Sequence, residues 1–188
     1  MSDAGDALDL LRQAGAVLDG HFRYASGRHG PMYVEKFRLL EDPVATSELC
    51  KTLAAELRSH DVELVVGPTT GGVIVGYEMA RQLGLHSYIA ERDGDGDERA
   101  LLRGFVVKPG QRTLIVDDVL TTGGSVRQTI AAVERAGGLP VAVGVLIDRS
   151  GGRTHFGLPF GAGMTLDVAS FASEDCAQCA AAEPLIET

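Results

Sequence analysis

Cations, thiols and long apolar runs are all scarce in this chain, and each scarcity removes a class of function. Lysine and arginine number 17 against 26 aspartates and glutamates, a formal net charge of −9 over 188 residues. Nucleic acid and anionic lipid are held by clustered cations, so neither is an expected partner. No apolar run approaches the roughly 20 residues of a membrane span. The opening Met1-Ser-Asp-Ala-Gly-Asp6 is acidic and lacks the basic-then-apolar form of a secretory signal, so a cytoplasmic location is expected. Three cysteines are an odd count and do not suggest a disulfide scaffold. Internal repeats and linkers are also missing. What remains is an ordinary globular composition, 45% hydrophobic and 23% charged, long enough for one domain with a real core.

The densest signal is Leu114-Ile-Val-Asp-Asp-Val-Leu-Thr-Thr-Gly-Gly-Ser125. A buried-type apolar run meets two adjacent carboxylates, then a turn rich in hydroxyls and glycine, then a helical pattern from Val126 to Ala136. Glycines let backbone approach a ligand, and free N–H groups at a helix start attract an anion. Two carboxylates would repel a bare polyphosphate, but they can accept hydrogen bonds from a sugar diol. Phosphate plus diol means a ribose 5-phosphate. The stretch is not a Walker A loop, because Ser125 rather than Lys follows Gly124, and its glycines do not fit the dinucleotide fingerprint.

Around it the pattern is α/β. An amphipathic helix is expected over Asp6–Leu18, short strands over His21–Ala25 and Met32–Phe37, and a helix from the Asp42-Pro43 cap to about Ser59. From Val62 onward strands alternate with helices. Strands are read at 64–66, 86–90, 113–116, 140–147 and 164–168, and helices at 73–83 and 125–136. Leu101–Val107 is read as extended. This alternation implies a mostly parallel central sheet flanked by helices, with ligands beyond the carboxyl ends of its strands. Three polar loops, 67–72, 117–125 and 148–153, fall at such ends.

Other candidates are weaker taken singly. Gly67-Pro-Thr-Thr-Gly-Gly72 could bind pyrophosphate through backbone N–H groups, or be a tight strand–helix turn. Asp93-Gly-Asp-Gly-Asp-Glu98 lacks the spacing of a calcium loop and reads as a mobile acidic loop, flanked by Arg92, Arg99 and Arg103. The Arg149 guanidinium could hold a carboxylate, or the Asp148-Arg149 pair could merely cap. Tyr33, in a segment able to cover the rim, offers a stacking face. Cys176-Ala-Gln-Cys179 is a lone Cys-x-x-Cys. A structural zinc needs four ligands and the only other cysteine is Cys50, so packed or free thiols are expected, with zinc only across a dimer.

The Asp-Asp motif resembles the phosphoribosyl pyrophosphate (PRPP) motif of type I phosphoribosyltransferases. Together with His21-Phe22, Ser26-Gly27, Pro31-x-Tyr33, Val66-Gly-Pro68 and Asp148-Arg149, the whole chain resembles the orotate phosphoribosyltransferases. Leu102-Arg-Gly-Phe105 and the Cys-x-x-Cys tail are similar to a short-loop bacterial branch. The resemblance implies a single domain over 1–188, with 1–40 and part of the tail forming a hood and dimer elements. It implies transfer of phosphoribosyl from PRPP to orotate with Mg²⁺ bound mainly through PRPP, and a homodimer with shared sites. Asp117 and Asp118 would hold the ribose hydroxyls, and Thr121, Thr122, Gly123, Gly124 and Ser125 the 5-phosphate. Thr69, Thr70, Gly71 and Gly72 would face pyrophosphate, across a non-proline cis peptide between Thr69 and Thr70. Arg92 and Arg103 would steady the pyrophosphate, in this site or the partner's, and Arg103 would act in catalysis. Tyr33 and Arg149 would bind the base.

The chain departs from the commoner family pattern at three places. Ala25 stands where Lys or Arg usually precedes Ser-Gly, Gly71 where Lys is frequent, and Asp93–Glu98 where a long cationic lid is frequent. Lys36, Arg28 and Lys108 are the candidates to compensate. The competing functions are transfer to a purine, which would not need Arg149, and a PRPP-binding regulator without chemistry, which would want a basic surface.

Overall fold

The computed structural model describes residues 4–188 other than 25, 95, 97 and 167, and of residues 4–7 and 10 the backbone alone. Ala25, whose missing cation bears on base recognition, and two residues of the acidic loop thus lie outside the described residues. The helices are α1 (Ala4–Gln13), α2 (Lys36–Leu40), α3 (Pro43–Leu57), α4 (Gly71–Leu83), α5 (Gly124–Arg135) and α6 (Ala177–Ala180). The strands are β1 (Val17–Arg23), β2 (His29–Val34), β3 (Leu64–Pro68), β4 (His86–Arg92), β5 (Arg99–Ala100), β6 (Arg112–Leu120), β7 (Leu139–Asp148), β8 (Phe160–Thr165) and β9 (Leu185–Glu187).

The central sheet runs β5-β4-β3-β6-β7-β8. All its pairings are parallel except the edge pair β4–β5. Its faces follow from side-chain alternation. Val65, Leu114, Val116 and Leu146 pack on one face with Leu11, Leu53 and Met79. Leu64, Val66, Ile115 and Val143 pack on the other with Val126 and Val133 of α5. Most of these side chains are fully buried, each contributing roughly 1.5–3 kcal/mol. The expected α/β layering is therefore present.

A second sheet, β2-β1-β9, forms the hood. β1 and β2 are an antiparallel hairpin, and β9 joins β1 in parallel from the far end of the chain.

Several expected boundaries need correction. The first helix stops at Gln13 rather than Leu18. Gly15 adopts φ 67°, and Ala16 N–H returns to Leu11 O while Gly15 N–H returns to Arg12 O. That left-handed termination turns Val17 and Leu18 into strand. The hairpin strands lie earlier in the chain than expected, because Glu35 caps α2 through Phe37 N–H and converts the end of the second apolar run to helix. Leu101–Val107 is not a strand; Arg103 and Gly104 both take positive φ and reverse the chain there. The last sheet strand is Phe160–Thr165 rather than Met164–Val168. β6 runs on through Asp117 and Asp118, so the acidic pair sits on a strand rather than a loop.

Candidate active site

Sheet order reverses between β3 and β6. The chain passes from β3 outward to β4 on one side, and from β6 outward to β7 on the other. In parallel sheets that reversal leaves a crevice beyond the strand ends, open to a ligand. The loop 69–72 leaves β3 there and 121–123 leaves β6. Neighbouring β7 ends at Asp148, paired with Leu120. All three loops marked in the sequence therefore meet at one rim.

The two helix starts at this rim differ from that of α3. Asp42 caps α3, its Oδ1 accepting from Val44 N–H at 2.9 Å and Ala45 N–H at 3.1 Å. Among the described residues, no side chain caps α4 or α5. Their first N–H groups stay available to an anion, with the helix dipole adding positive potential. The peptide Thr69–Thr70 is cis, as the family resemblance implied. A Cβ on Gly71 would lie 1.8 Å from Asp118 Oδ2, so the bare glycine is what lets the acidic pair lie against the start of α4.

Asp117 and Asp118 are 6% and 5% exposed. Asp117 Oδ1 accepts from Asp118 N–H at 2.9 Å, and Asp118 Oδ1 from Val119 N–H at 2.7 Å. Lys36 Nζ lies 2.8 Å from Asp118 Oδ2. The contact is an ion pair without hydrogen-bond alignment, and among the described residues nothing donates to that oxygen. Burial, then the charge of Asp118, pushes the Asp117 carboxyl up to about 7, against hydrogen bonds from the Asp118 amide and the Ser125 hydroxyl. These carboxylates have acceptor capacity to spare and a reason to take hydroxyl donors.

Tyr33, Lys36, Phe37, Val119, Thr121 and Arg149 line a cavity of about 330 Å³ between hood and rim. A second, of about 460 Å³, shares Tyr33, Thr121 and Arg149 and adds Tyr24, Ser26 and Thr122. The predicted base residues thus face the same space from opposite sides. Asp148 is not the partner of the Arg149 side chain. Its carboxylate instead takes the N–H groups of Ser150 at 2.7 Å and Gly152 at 3.3 Å, shaping the loop. The Arg149 guanidinium carbon sits 5.8 Å from the Tyr24 ring centroid.

Of the three compensating cations, Lys36 alone lines this cavity. Arg28 is spent on Ser170, with Nε to Oγ at 3.0 Å and Nη2 to the carbonyl at 2.5 Å. Lys108 is exposed at the turn before β6 and does not line either cavity.

The arginines near the acidic loop sort differently from expectation. Arg103 does not reach the crevice of its own chain. It forks onto Glu91, Nε to Oε2 at 2.6 Å and Nη2 to Oε1 at 2.7 Å. Arg92 is exposed at the end of β4. Arg99, read in the sequence as one of the charges flanking the acidic loop, is 6% exposed. Its Nη1 donates to Thr69 Oγ1 at 3.1 Å and Ala90 O at 3.0 Å, and its Nη2 to Thr69 O at 3.2 Å. Burial pushes its guanidinium below the usual range, with the Asp117 charge opposing and that of Arg92 adding. The available signal was its place between a polar loop and the apolar Ala100-Leu-Leu102.

Known proteins match this geometry. The phosphoribosyl transferase domain family matches residues 40–155. The orotate phosphoribosyltransferase of Pelotomaculum thermopropionicum is 42% identical over 178 residues, covering 95% of this chain and 93% of the relative. That of Thermus thermophilus is 41% identical over 182 residues, covering 97% and 99%. The crystal structure of Mycobacterium tuberculosis orotate phosphoribosyltransferase in complex with Fe(III) dicitrate superposes with a TM-score of 0.71 at 26% identity, covering 87% of this chain and 97% of that one. Kinship along nearly the full length, joined to a diol-and-phosphate crevice, places the chain in the orotate phosphoribosyltransferase family.

Proposed function

We propose that the chain transfers the 5-phosphoribosyl group of PRPP to orotate at this crevice, giving orotidine 5′-monophosphate and pyrophosphate. The observation that carries the residue-level reading is the junction made by Lys36, which touches Asp118 while lining the cavity of Tyr33 and Arg149. Ribose and base positions are contiguous there. Asp117 and Asp118 accept the ribose hydroxyls. Thr121 to Ser125 and the start of α5 hold the 5-phosphate. The loop Thr69 to Gly72 and the start of α4 hold the diphosphate, with Arg99 fixing Thr69 from behind. Arg149 pairs with the orotate carboxylate and Tyr33 lies along the ring.

In the reaction the bond from C1′ to the diphosphate oxygen breaks and one from C1′ to the orotate ring nitrogen forms. C1′ passes through oxocarbenium character, so the protein contributes alignment and charge stabilisation rather than a nucleophile. The carboxylate pair lies where it can stabilise developing positive charge on the ribose. Mg²⁺, bound mainly through PRPP, supplies charge neutralisation on the diphosphate. The residues fit a hard, oxygen-seeking cation, because the buried Asp118 Oδ2 already attracts the Lys36 ammonium and has no hydrogen-bond donor among the described residues.

Arg103 and Arg92 reach a diphosphate either after Arg103 leaves Glu91 or from a partner chain. A homodimer is supported by large apolar side chains left exposed: Phe37 on α2, Val44 on α3, and Ile74 and Tyr77 on α4. A cytoplasmic location is supported by three free thiols, and no described helix is long and apolar enough to cross a membrane. The single-domain reading is supported by the hood strands and the chain's last residues sharing one sheet.

The experiment follows the ultraviolet absorbance of orotate with PRPP and Mg²⁺. Consumption requiring all three supports the reading. Retained PRPP binding with consumption of adenine instead would transfer the site to a purine.

A further inference from the structure

Four residues that the reaction does not use converge between hood and tail. His21 lies on β1, His29 opens β2, and Cys176 and Cys179 flank and enter α6. One ligand atom from each lies within 4.8 Å of all the others. His21, His29 and Cys176 are 3%, 5% and 3% exposed. Counting cysteines alone had left the Cys-x-x-Cys two ligands short. The missing ligands are histidines some 150 residues away in the chain.

The distances have the dimensions of a coordination tetrahedron. Zinc–nitrogen bonds of about 2.0–2.1 Å and zinc–sulfur bonds of about 2.3 Å give edges of roughly 3.3 Å between nitrogens and roughly 3.6 Å between nitrogen and sulfur. His21 Nε2 and His29 Nδ1 are 3.2 Å apart. His29 Nδ1 to Cys179 Sγ is 3.1 Å, and His21 Nε2 is 3.5 Å from each sulfur.

Tautomer and surroundings agree. His21 Nδ1 lies 3.0 Å from the Glu183 carbonyl, which can only accept. Nδ1 therefore carries the proton and Nε2 turns its lone pair to the cluster, the outer arrangement usual for metal-bound imidazole. Without a cation, the four atoms share at most three protons, from two thiols and the His29 ring, among closely converging lone pairs. A divalent ion satisfies all four atoms at once.

We propose that His21, His29, Cys176 and Cys179 form a structural zinc site that clasps the hood hairpin to the tail. Four protein ligands fill the coordination shell, so the ion has no open position for chemistry. The mixed sulfur and nitrogen set selects zinc over the hard, oxygen-seeking Mg²⁺ of the reaction.

The test uses the full-length chain, stripped by a chelator under reducing conditions and titrated with cobalt(II). One equivalent should bind, with thiolate-to-metal charge transfer and the intense visible bands of a four-coordinate centre, and zinc should then bleach them. Cys179→Ser should weaken cobalt binding by more than the roughly 10–100-fold typical of outer-shell changes, while Cys50→Ser leaves it unchanged. Should Cys179→Ser fail to fold, the unaltered chain still decides. Zinc should protect two thiols from an alkylating reagent, with Cys50, whose thiol burial pushes up to about 12, unreactive throughout. Absent charge-transfer bands, unprotected thiols, or Cys176 and Cys179 recovered as a disulfide under reducing conditions would each overturn the site.

Discussion

The chain has two buried places where lone pairs converge, and they differ in completeness. At the rim, Asp117 and Asp118 lie buried side by side, Asp118 meets a lysine that lines the neighbouring cavity, and one Asp118 oxygen has no hydrogen-bond donor among the described residues. Under the hood, one atom from each of two imidazoles and two thiols converges on the others. The open cluster is completed by something that comes and goes, the closed one by something that stays. The same division runs through the helices. Among the described residues no side chain caps the starts of α4 and α5 at the rim, whereas α3 starts on its own carboxylate cap. Incompleteness marks the chemistry and self-sufficiency the scaffold.

That comparison breaks if damage at the two clusters looks alike. The largest effect is expected from Asp117→Asn with Asp118→Asn. Losing charge-assisted bonds to the diol costs roughly 3–6 kcal/mol, at least 100-fold in PRPP affinity by calorimetry, with no loss of melting temperature. Unchanged affinity would remove the diol reading. Next, Arg149→Ala should raise the orotate KM by roughly 10- to 100-fold and leave PRPP affinity intact, because about 1.5–3 kcal/mol of charged hydrogen bonding is lost at one substrate only. Equal weakening of both substrates would mean that Arg149 acts on the crevice as a whole. Cys176→Ser with Cys179→Ser should do the reverse of the rim pair. We expect a melting temperature lower by about 5–10 °C, with PRPP affinity unchanged.

A pH titration sharpens the rim further. The Asp117 carboxyl is raised to about 7. Its unfolded value is near 3.8, so its contribution to stability is complete below that pH and is lost as pH rises through 7. Diol binding wants the ionised form and should move oppositely. PRPP affinity should climb by up to about tenfold from pH 6 to 7, while the ligand-free melting temperature falls. Asp118→Asn removes one cause of the shift, so both transitions should move to lower pH. The smallest effect is expected at α3, where Asp42→Ala should cost about 1 kcal/mol in denaturant unfolding and leave turnover unaltered.

Much of the rim could be read from residue order. Asp117-Asp118 and Thr121–Ser125 are contiguous, and strand–loop–helix geometry turns contiguity into a site. The loops at 67–72 and 148–153 needed only the rule that ligands sit beyond parallel strand ends. Contacts made across the fold escaped. Arg99 looked like any charge beside an acidic loop, until the short antiparallel β5 turned it inward onto Thr69. Arg103, catalytic by the family resemblance, has a left-handed backbone and pairs with Glu91 within its own chain, a contact the sequence did not signal. The histidine ligands were invisible because nothing local links residues 21 and 29 to residues 176 and 179. Helix ends failed where a single residue decides, at Gly15 and at Glu35.

The parallel pairing of β9 with β1 sets an order of assembly. Leu185 to Glu187 seat against His21 to Arg23, so a ribosome delivers the third strand of the hood only after every strand of the central sheet. The central sheet from β3 to β8 is contiguous in the chain and can collapse while the tail is still being made. The hairpin must wait, holding His21 and His29 for thiols that emerge some 150 residues later. Binding of PRPP at the rim is thus available to a younger chain than binding of the base, whose cavity is walled by a hood that β9 completes.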